Sequence, residues 1–561
     1  MHFGIDLGTT NSLIAVFEDG QPRLIPNALG HVLTPSVVAL LDRRLVVGET
    51  AREVALTDPA RAAAVFKRGM GTNRIWKLGA DSYSATELSA LVLKALKEDA
   101  EAHLGVVVRD VVISVPAYFN ELQRKAVRAA GTIAGLNVTR LINEPTAAAL
   151  AHGLHQSEGE AKVLVFDLGG GTFDVSIVEF FEGVMEVRAS AGDAFLGGED
   201  FTEALLRYIA AQAVVDANDP PLRAALLRLA ETAKRQLSSA PQATIRARLG
   251  DTDIDLTITR DRFDEITAQT IARLASPLDR ALTDAALSPD QVDRLVLVGG
   301  ATRMQSVRAY AARRLRQMPA AGFDPDHVVA LGAAVQAALV AQDAALDDVV
   351  MTDVSAFTLG VNTVHRISNN LREGYFAPII QRNSIVPVSR EMVFATVEPG
   401  QREVRFGIYQ GEAPLVANNL LLGEVTVTVP VNRKEHEQVK VRFTYDVSGL
   451  LEVEVTVLST GHKVQLVISQ LAGSMSPEAI AEALTKMSKI KTHPRDDARN
   501  IHLRVRIEAC YAMARGDARD WVLHLMLQLD DAIERQDTPA LTELRAELHH
   551  ALDRFEADYV R

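Results

Sequence analysis

Cysteine is nearly missing from this chain. Cys510 is the only one among 561 residues, which excludes an intramolecular disulfide and a metal cluster built on thiolates. It lies in an apolar stretch expected to be helical, so it reads as a buried, inert thiol. Aromatic residues make up only 5%, too few to suggest a surface on which bases stack. Positive charge is in deficit, with a net charge of −13 and a pI of about 5.6. That balance argues against nonspecific binding to nucleic acid or to an anionic membrane. No apolar run approaches the roughly 18 residues that cross a bilayer. Met1 leads straight into a strand-like run, so no signal peptide is expected and the expected compartment is the cytoplasm. Neither a Walker A sequence nor the pattern GxGxxG occurs, so any phosphate site is of another type.

What is present is glycine in a particular setting. Apolar residues reach 48%, enough for several cores in a chain of this length. Val163 to Phe166 is a short apolar run with the character of a buried strand. It ends in Asp167, passes Leu168 into Gly169, Gly170 and Gly171, and closes on Thr172, Phe173 and Asp174. Uncovered glycine amides let an anion approach closely. The flanking carboxylates would repel that anion unless a cation lay between them. A phosphate chain with Mg²⁺ meets both conditions; an ordinary hairpin turn is the bland alternative. The device recurs at Phe3-Gly4-Ile5-Asp6-Leu7-Gly8-Thr9-Thr10-Asn11-Ser12. A third strand–glycine turn, Leu295 to Arg303 through Gly299 and Gly300, carries no acid and suits an uncharged nucleoside. The two acid-bearing turns suggest a duplicated fold with facing phosphate loops.

These three blocks, in this order and spacing, resemble the nucleotide-binding domain of the seventy-kilodalton heat-shock chaperones of the DnaK type. That domain shares the actin, hexokinase and sugar-kinase fold. The third block departs at Gln305, where the family usually has proline. The resemblance covers the whole chain and is closest to the short-lidded HscC branch. It implies a multidomain protein: an actin-like α/β ATPase domain over residues 1–345, an interdomain linker over 346–353, an antiparallel β-sandwich that binds peptide over 354–472 and a short α-helical lid over 473–561.

The resemblance also assigns roles. Lys67, in a Lys-Arg-x-x-Gly segment that base rates alone would leave as a solvated surface, becomes the catalytic lysine at the γ-phosphate. Glu144, Asp167 and Thr172 join it as catalytic groups, with Glu144 otherwise readable as a helix-start acid. Asp6, Glu144 and Asp167 would hold Mg²⁺ through water, and Asp6 with Asp174 a K⁺. The phosphates of ATP or ADP would meet Gly8, Thr9, Thr10, Asn11, Gly169, Gly170, Gly171, Gly197 and Gly198. Glu231, Lys234, Arg235 and Ser238 fall on one helix face, an ordinary solvated face by spacing and an adenosine clamp by resemblance. Gly299, Gly300, Arg303 and Asp326 complete that side. Pro116 and Arg124 match switch positions, and Arg140 and Asp353 match positions used by J-domain cochaperones. In the sandwich, Val361, Phe394, Val404 and Phe406 match the peptide pocket and Val364 with Val397 the arch above it. Without the resemblance these are plain core residues.

The remaining pattern fills in the architecture. Residues 1–48 read as a β-meander, 59–97 as helical, 331–345 as an alanine-rich helix and 354–471 as short alternating strands. Residues 239–264 are shorter than the family's usual upper-lobe sheet, which leaves the exchange factor open. Pro399 replaces the acid that usually latches the lid, and Thr352 a usual linker leucine. Ser476-Pro477-Glu478 and Thr538-Pro539 are helix starts, and Trp521, Leu525, Leu529 and Ile533 recur at helical spacing. With no acidic tail after Tyr559-Val560-Arg561, tail-dependent cochaperones are not expected. The expected function is an ATP-dependent chaperone for extended apolar segments of unfolded clients. The alternatives of the same fold are a small-molecule kinase or an actin-like filament protein, and neither uses the last third of the chain. A catalytically silent exchange factor is a third class, but such proteins usually lose the acids and lysine that are intact here.

Overall fold

The computed structural model describes residues 1–41, 44–151, 160–181, 184–249, 252–320, 324–341, 350–367, 370–446, 449–469 and most of 500–559. The expected helix start at Ser476 and the acidic part of the linker lie outside them. The chain divides into two compact units. One is built on Met1–Thr358 together with Gln381–Val386; the other contains Leu359–Ile380, Pro387–Ser469 and the C-terminal helices.

The first unit holds two six-stranded sheets of matching design. In one, β1 (His2–Asp6), β2 (Asn11–Glu18) and β3 (Gln21–Ile25) form an antiparallel meander, while β4 (Asp110–Val115) and β5 (Asn137–Asn143) extend the other side of β1 in parallel. In the other, β6 (Ala161–Leu168), β7 (Phe173–Phe181) and β8 (Val184–Asp193) repeat the meander. A separate hairpin, β9 (Gln242–Leu249) and β10 (Thr252–Thr259), is all that residues 239–264 build before the next helix. β11 (Arg294–Val298) then pairs in parallel with β6, as β4 does with β1. The linker supplies β12 (Val350–Val354), which adds in parallel to the outer edge of β8. Ile385–Val386 pairs antiparallel with β12 in turn. Arg382 also binds Asp284 at 2.7 Å. These two pairings explain why Gln381–Val386, expected in the sandwich, groups with the first unit.

Helices cover the sheets. α1 (Ala85–Leu104) starts on a capping box between Ser84 and Glu87. The expectation of helix from 59 onward is corrected here. Phe66–Gly69 is a single 3₁₀ turn and Ile75–Leu78 pairs with Asp81–Ser84 in a hairpin. Gly71 and Gly79 take positive φ, which ends any helix in this stretch. α2 (Glu121–Ile133) and α3 (Glu144–Ala151) follow, then α4 (Gly198–Ala213), α5 (Pro220–Ser239), α6 (Ala275–Asp284) and α7 (Val328–Val340). One core fills the space beneath each sheet, and a third joins both sheets through α7.

The second unit contains two four-stranded antiparallel sheets. The first is ordered β14 (Asn370–Ile380), β13 (Leu359–Ile367), β16 (Glu403–Gln410), β17 (Leu420–Thr428). The second is ordered β15 (Val388–Ala395), β18 (Gln438–Tyr445), β19 (Leu450–Val457), β20 (Lys463–Ser469). Alternate residues such as Val439, Val441 and Phe443 are fully buried, the period-two pattern of a half-covered sheet. The C-terminal residues include α8 (Asp517–Arg535) and α9 (Thr538–Tyr559). Their core contains Leu525, Leu529, Ile533 and Cys510, so the cysteine is buried as expected. Trp521 is not in that core: it is 41% exposed and stacks on Phe555, and Val522 takes the buried position.

Candidate nucleotide site

The turns that the sequence singled out converge on one cleft of about 480 Å³, within the range of small-molecule sites. Asp6 ends β1 and accepts the Ser114 hydroxyl of β4 at 2.9 Å. The β1–β2 turn then folds so tightly that a Cβ on Gly8 would lie 2.0 Å from the Asn11 carbonyl. Asp167 is the penultimate residue of β6 and sits across the register from Asp174 at the start of β7. The Gly197 turn stacks directly on this loop, with the amides of Gly198 and Glu199 donating to the carbonyls of Gly169 and Gly170 at 2.9 Å each. Gly299 takes φ 82 and its amide donates to the Pro325 carbonyl at 3.0 Å. A side chain there would strike the Leu168 carbonyl. At Gly8, Gly197 and Gly299 the neighbouring backbone leaves no room for a Cβ, so glycine is required there.

The polar side chains arrive from several elements. Lys67, on the 3₁₀ turn, is buried and its Nζ donates to Glu144 Oε1 at 2.8 Å. Glu144 opens α3. Glu231 of α5 accepts from Lys234, Arg235 and Thr202 at 2.6 to 2.7 Å. Burial alone would raise its carboxyl, but these donors hold it down at about 2. On the opposite wall Arg303 is gripped by Asp324 at 2.5 Å and Asp326 at 2.7 Å. The carboxylates Asp6, Glu144, Asp167 and Asp174 crowd around Lys67, with Arg124 also acting on Asp174. Enclosure, then Glu144, pushes Asp6 up to about 7, and the same two causes push Asp174 up to about 7. Asp167 is raised well above the carboxylate range, by burial first and its acidic neighbours next. Acids so desolvated fit a hydrated divalent cation, which would supply the missing positive charge.

The profile of the Hsp70 protein family matches residues 2–76 and 73–560. The chain belongs to the Hsp70 family. Members of that family are chaperones and ATPases that bind ATP or ADP with Mg²⁺ and act on client polypeptides with cochaperones.

Most of the nucleotide positions assigned to this Hsp70 from sequence line the cleft, from Thr9, Thr10 and Asn11 to Thr172, Ser238, Gly300 and Asp326. Gly171, Gly197 and Asp174 stand behind its wall instead. Asp174 there accepts the Tyr118 amide at 3.0 Å. Pro116 and Arg124 meet at one turn: Phe119 N donates to Pro116, and Arg124 reaches Asn143 Oδ1 at 2.7 Å beside Glu144. Arg140 lies on β5 outside the cleft, and Asp353 pairs through its backbone with Val386. In the second unit Val361 and Phe406 are buried, while Val364, Phe394, Val397 and Val404 are partly exposed. Phe394 and Phe406 approach to 5.4 Å between ring centres. Sequence reasoning missed Glu199 and Met304, which line the cleft, and Arg68, Asp324, Thr202 and Ser114, which hold its lining in place. Arg68 lies in the Lys-Arg-x-x-Gly segment beside Lys67, and Asp324 two residues before Asp326. Their signal was a charged residue within two positions of an assigned one.

Proposed function

We propose that this Hsp70 is an ATP-driven chaperone of the short-lidded HscC-like kind, which binds extended apolar segments and releases them under control of ATP hydrolysis. One observation carries the proposal. The strand β6 that carries Asp167 and the linker strand β12 belong to the same sheet, separated only by β7 and β8. A shift at the phosphate loop therefore has a short, hydrogen-bonded route to the segment that leads into the sandwich.

In this reading residues 1–345 bind nucleotide, 346–353 are the linker, 354–472 hold peptide and 473–561 form the lid. Mg²⁺, when bound, supplies charge neutralisation at the phosphates, held by Asp6, Glu144 and Asp167, with K⁺ near Asp6 and Asp174. The amides of Thr9, Thr10 and Asn11 and of the Gly169–Gly171 loop grip the phosphate oxygens. Lys67, pinned by Glu144, positions the attacking water and stabilises charge developing on the γ-phosphoryl oxygens. Glu231, Lys234, Arg235 and Arg303 enclose the nucleoside with their aliphatic stems and ion-paired heads. Loss of the γ-phosphate loosens the loop, frees β12 from β8 and closes the sandwich on its client. A peptide bound along Val361, Phe394, Val404 and Phe406, beneath the arch of Val364 and Val397, is held by backbone hydrogen bonds and a central apolar pocket. Arg140 and Asp353 lie where a J-domain partner would act.

A fluorescent apolar heptapeptide bound to the ADP form, chased with Mg·ATP, tests this. Rapid release is expected from wild type and from Lys67→Ala, the latter without phosphate production. Absence of peptide binding in both nucleotide states would overturn the chaperone reading, and wild-type turnover by Lys67→Ala would remove its catalytic role.

A further inference from the structure

Arg68 follows Lys67 on the same 3₁₀ turn, and the mechanism above does not use it. Its Nε donates to the Gly171 carbonyl at 2.9 Å and its Nη2 to Asp200 Oδ2 at 2.7 Å. Asp200 Oδ2 in turn accepts the Gly197 amide at 2.9 Å. One guanidinium therefore joins the turn that carries Lys67 to both glycine turns of the opposite half of the cleft. The approach is close enough to dictate sequence. A Cβ on Gly171 would lie 3.0 Å from Arg68 Nε and 2.8 Å from Thr9, and one on Gly197 would lie 2.5 Å from the Gly170 carbonyl. Val65, immediately before the turn, takes φ 55. A β-branched residue holds that left-handed conformation only where its surroundings impose it. The backbone is thus bent to deliver two adjacent cations in two directions, Lys67 to Glu144 and Arg68 to the far loops.

We propose that Arg68 is a positioning residue, a latch that closes the Gly169–Thr172 loop over the bound phosphates and sets the rate at which nucleoside diphosphate leaves. This rests on the nucleotide reading of the cleft. Leaving requires the two halves to part, and Arg68 is a side chain that must let go of Gly171 and Asp200 for that to happen. The fork geometry matters: a planar guanidinium satisfies two acceptors at a fixed angle, and a lysine ammonium on a flexible stem does not.

The test uses the full-length protein with Mg²⁺ and a fluorescent ADP analogue. Release is timed for wild type, Arg68→Lys, Arg68→Met, Asp200→Asn and the Arg68→Met, Asp200→Asn pair, and adenosine affinity is measured for each. Losing the two charge-assisted hydrogen bonds to Gly171 and Asp200 predicts at least about tenfold faster release from Arg68→Met, with Arg68→Lys between it and wild type. The double variant should release no faster than Arg68→Met, because Arg68→Met already removes the contact that Asp200→Asn weakens. Adenosine, which has no phosphates for the loop to cover, should bind all five alike. Release from Arg68→Met within twofold of wild type, or adenosine affinity that falls in step with ADP, would overturn the latch and leave the nucleotide site standing. Failure of wild type to bind the ADP analogue would overturn the nucleotide reading and the latch together.

Discussion

Asp6 shows what it costs to bury one carboxylate among other acids. Enclosure and Glu144 push it up to about 7, against an ordinary value near 4 in the unfolded chain. The unfolded state therefore ionises first, and the metal-free folded state is progressively penalised as pH rises from about 4 to about 7. Asp6→Asn removes that penalty and keeps an acceptor for the Ser114 hydroxyl. In metal-free, nucleotide-free protein this variant should melt higher than wild type at pH 8, with the gain shrinking to nothing toward pH 4. Added Mg·ADP should then stabilise it less than wild type. A gain that grew as pH fell would contradict the assigned direction. At this scale the sequence was readable where side-chain type alone marks a position, as with the acids and glycines of the two strand–glycine turns that meet at the cleft. It was unreadable where a role depends on reach. Nothing around Arg68 points to Asp200, and nothing around Asp6 points to Ser114, because folding alone sets those distances.

Elements are joined here by missing side chains as much as by present ones. α7 crosses α3 so closely that a Cβ on Gly332 would lie 1.7 Å from the Ala147 carbonyl, and a Cβ on Gly4 of β1 would lie 2.0 Å from the Ala334 amide. Gly332→Ala should therefore destabilise the first unit by at least about 2 kcal/mol, since backbone and not a flexible side chain must yield. Denaturant unfolding followed at that unit would check it, and an unchanged midpoint would mean the helices part freely. β12 offers a different test. It is held by main-chain pairing of Val350, Met351 and Thr352 with Val184 to Glu186, so Thr352→Pro, which deletes an amide, should undock it. ATP should then no longer speed peptide release, while ATP binding persists; release as fast as in wild type would detach coupling from this strand. The strands and the alanine-rich helix were legible from periodicity. Residues 59–97 were not, because short strands broken by Gly69, Gly71 and Gly79 leave an apolar spacing that a helix also satisfies until Ser84 starts α1.

At the scale of the whole molecule, the proposed function requires linkage between a nucleotide site in one unit and a peptide site in the other. If ATP weakens peptide binding by some factor, equilibrium requires peptide to weaken ATP binding by the same factor. Lys67→Ala makes both measurable, because its cleft should hold ATP without consuming it. Peptide affinity with and without saturating ATP gives one factor, and ATP affinity with and without saturating peptide gives the other. The two should agree and fall between about 5 and 150. Val404→Phe should weaken peptide binding while leaving ATP affinity in the absence of peptide untouched, since Val404 lies in the second unit and the cleft in the first. A factor of one in both directions would leave an ATPase and a β-sandwich sharing a chain without sharing free energy, and the linker strand would then be only a tether.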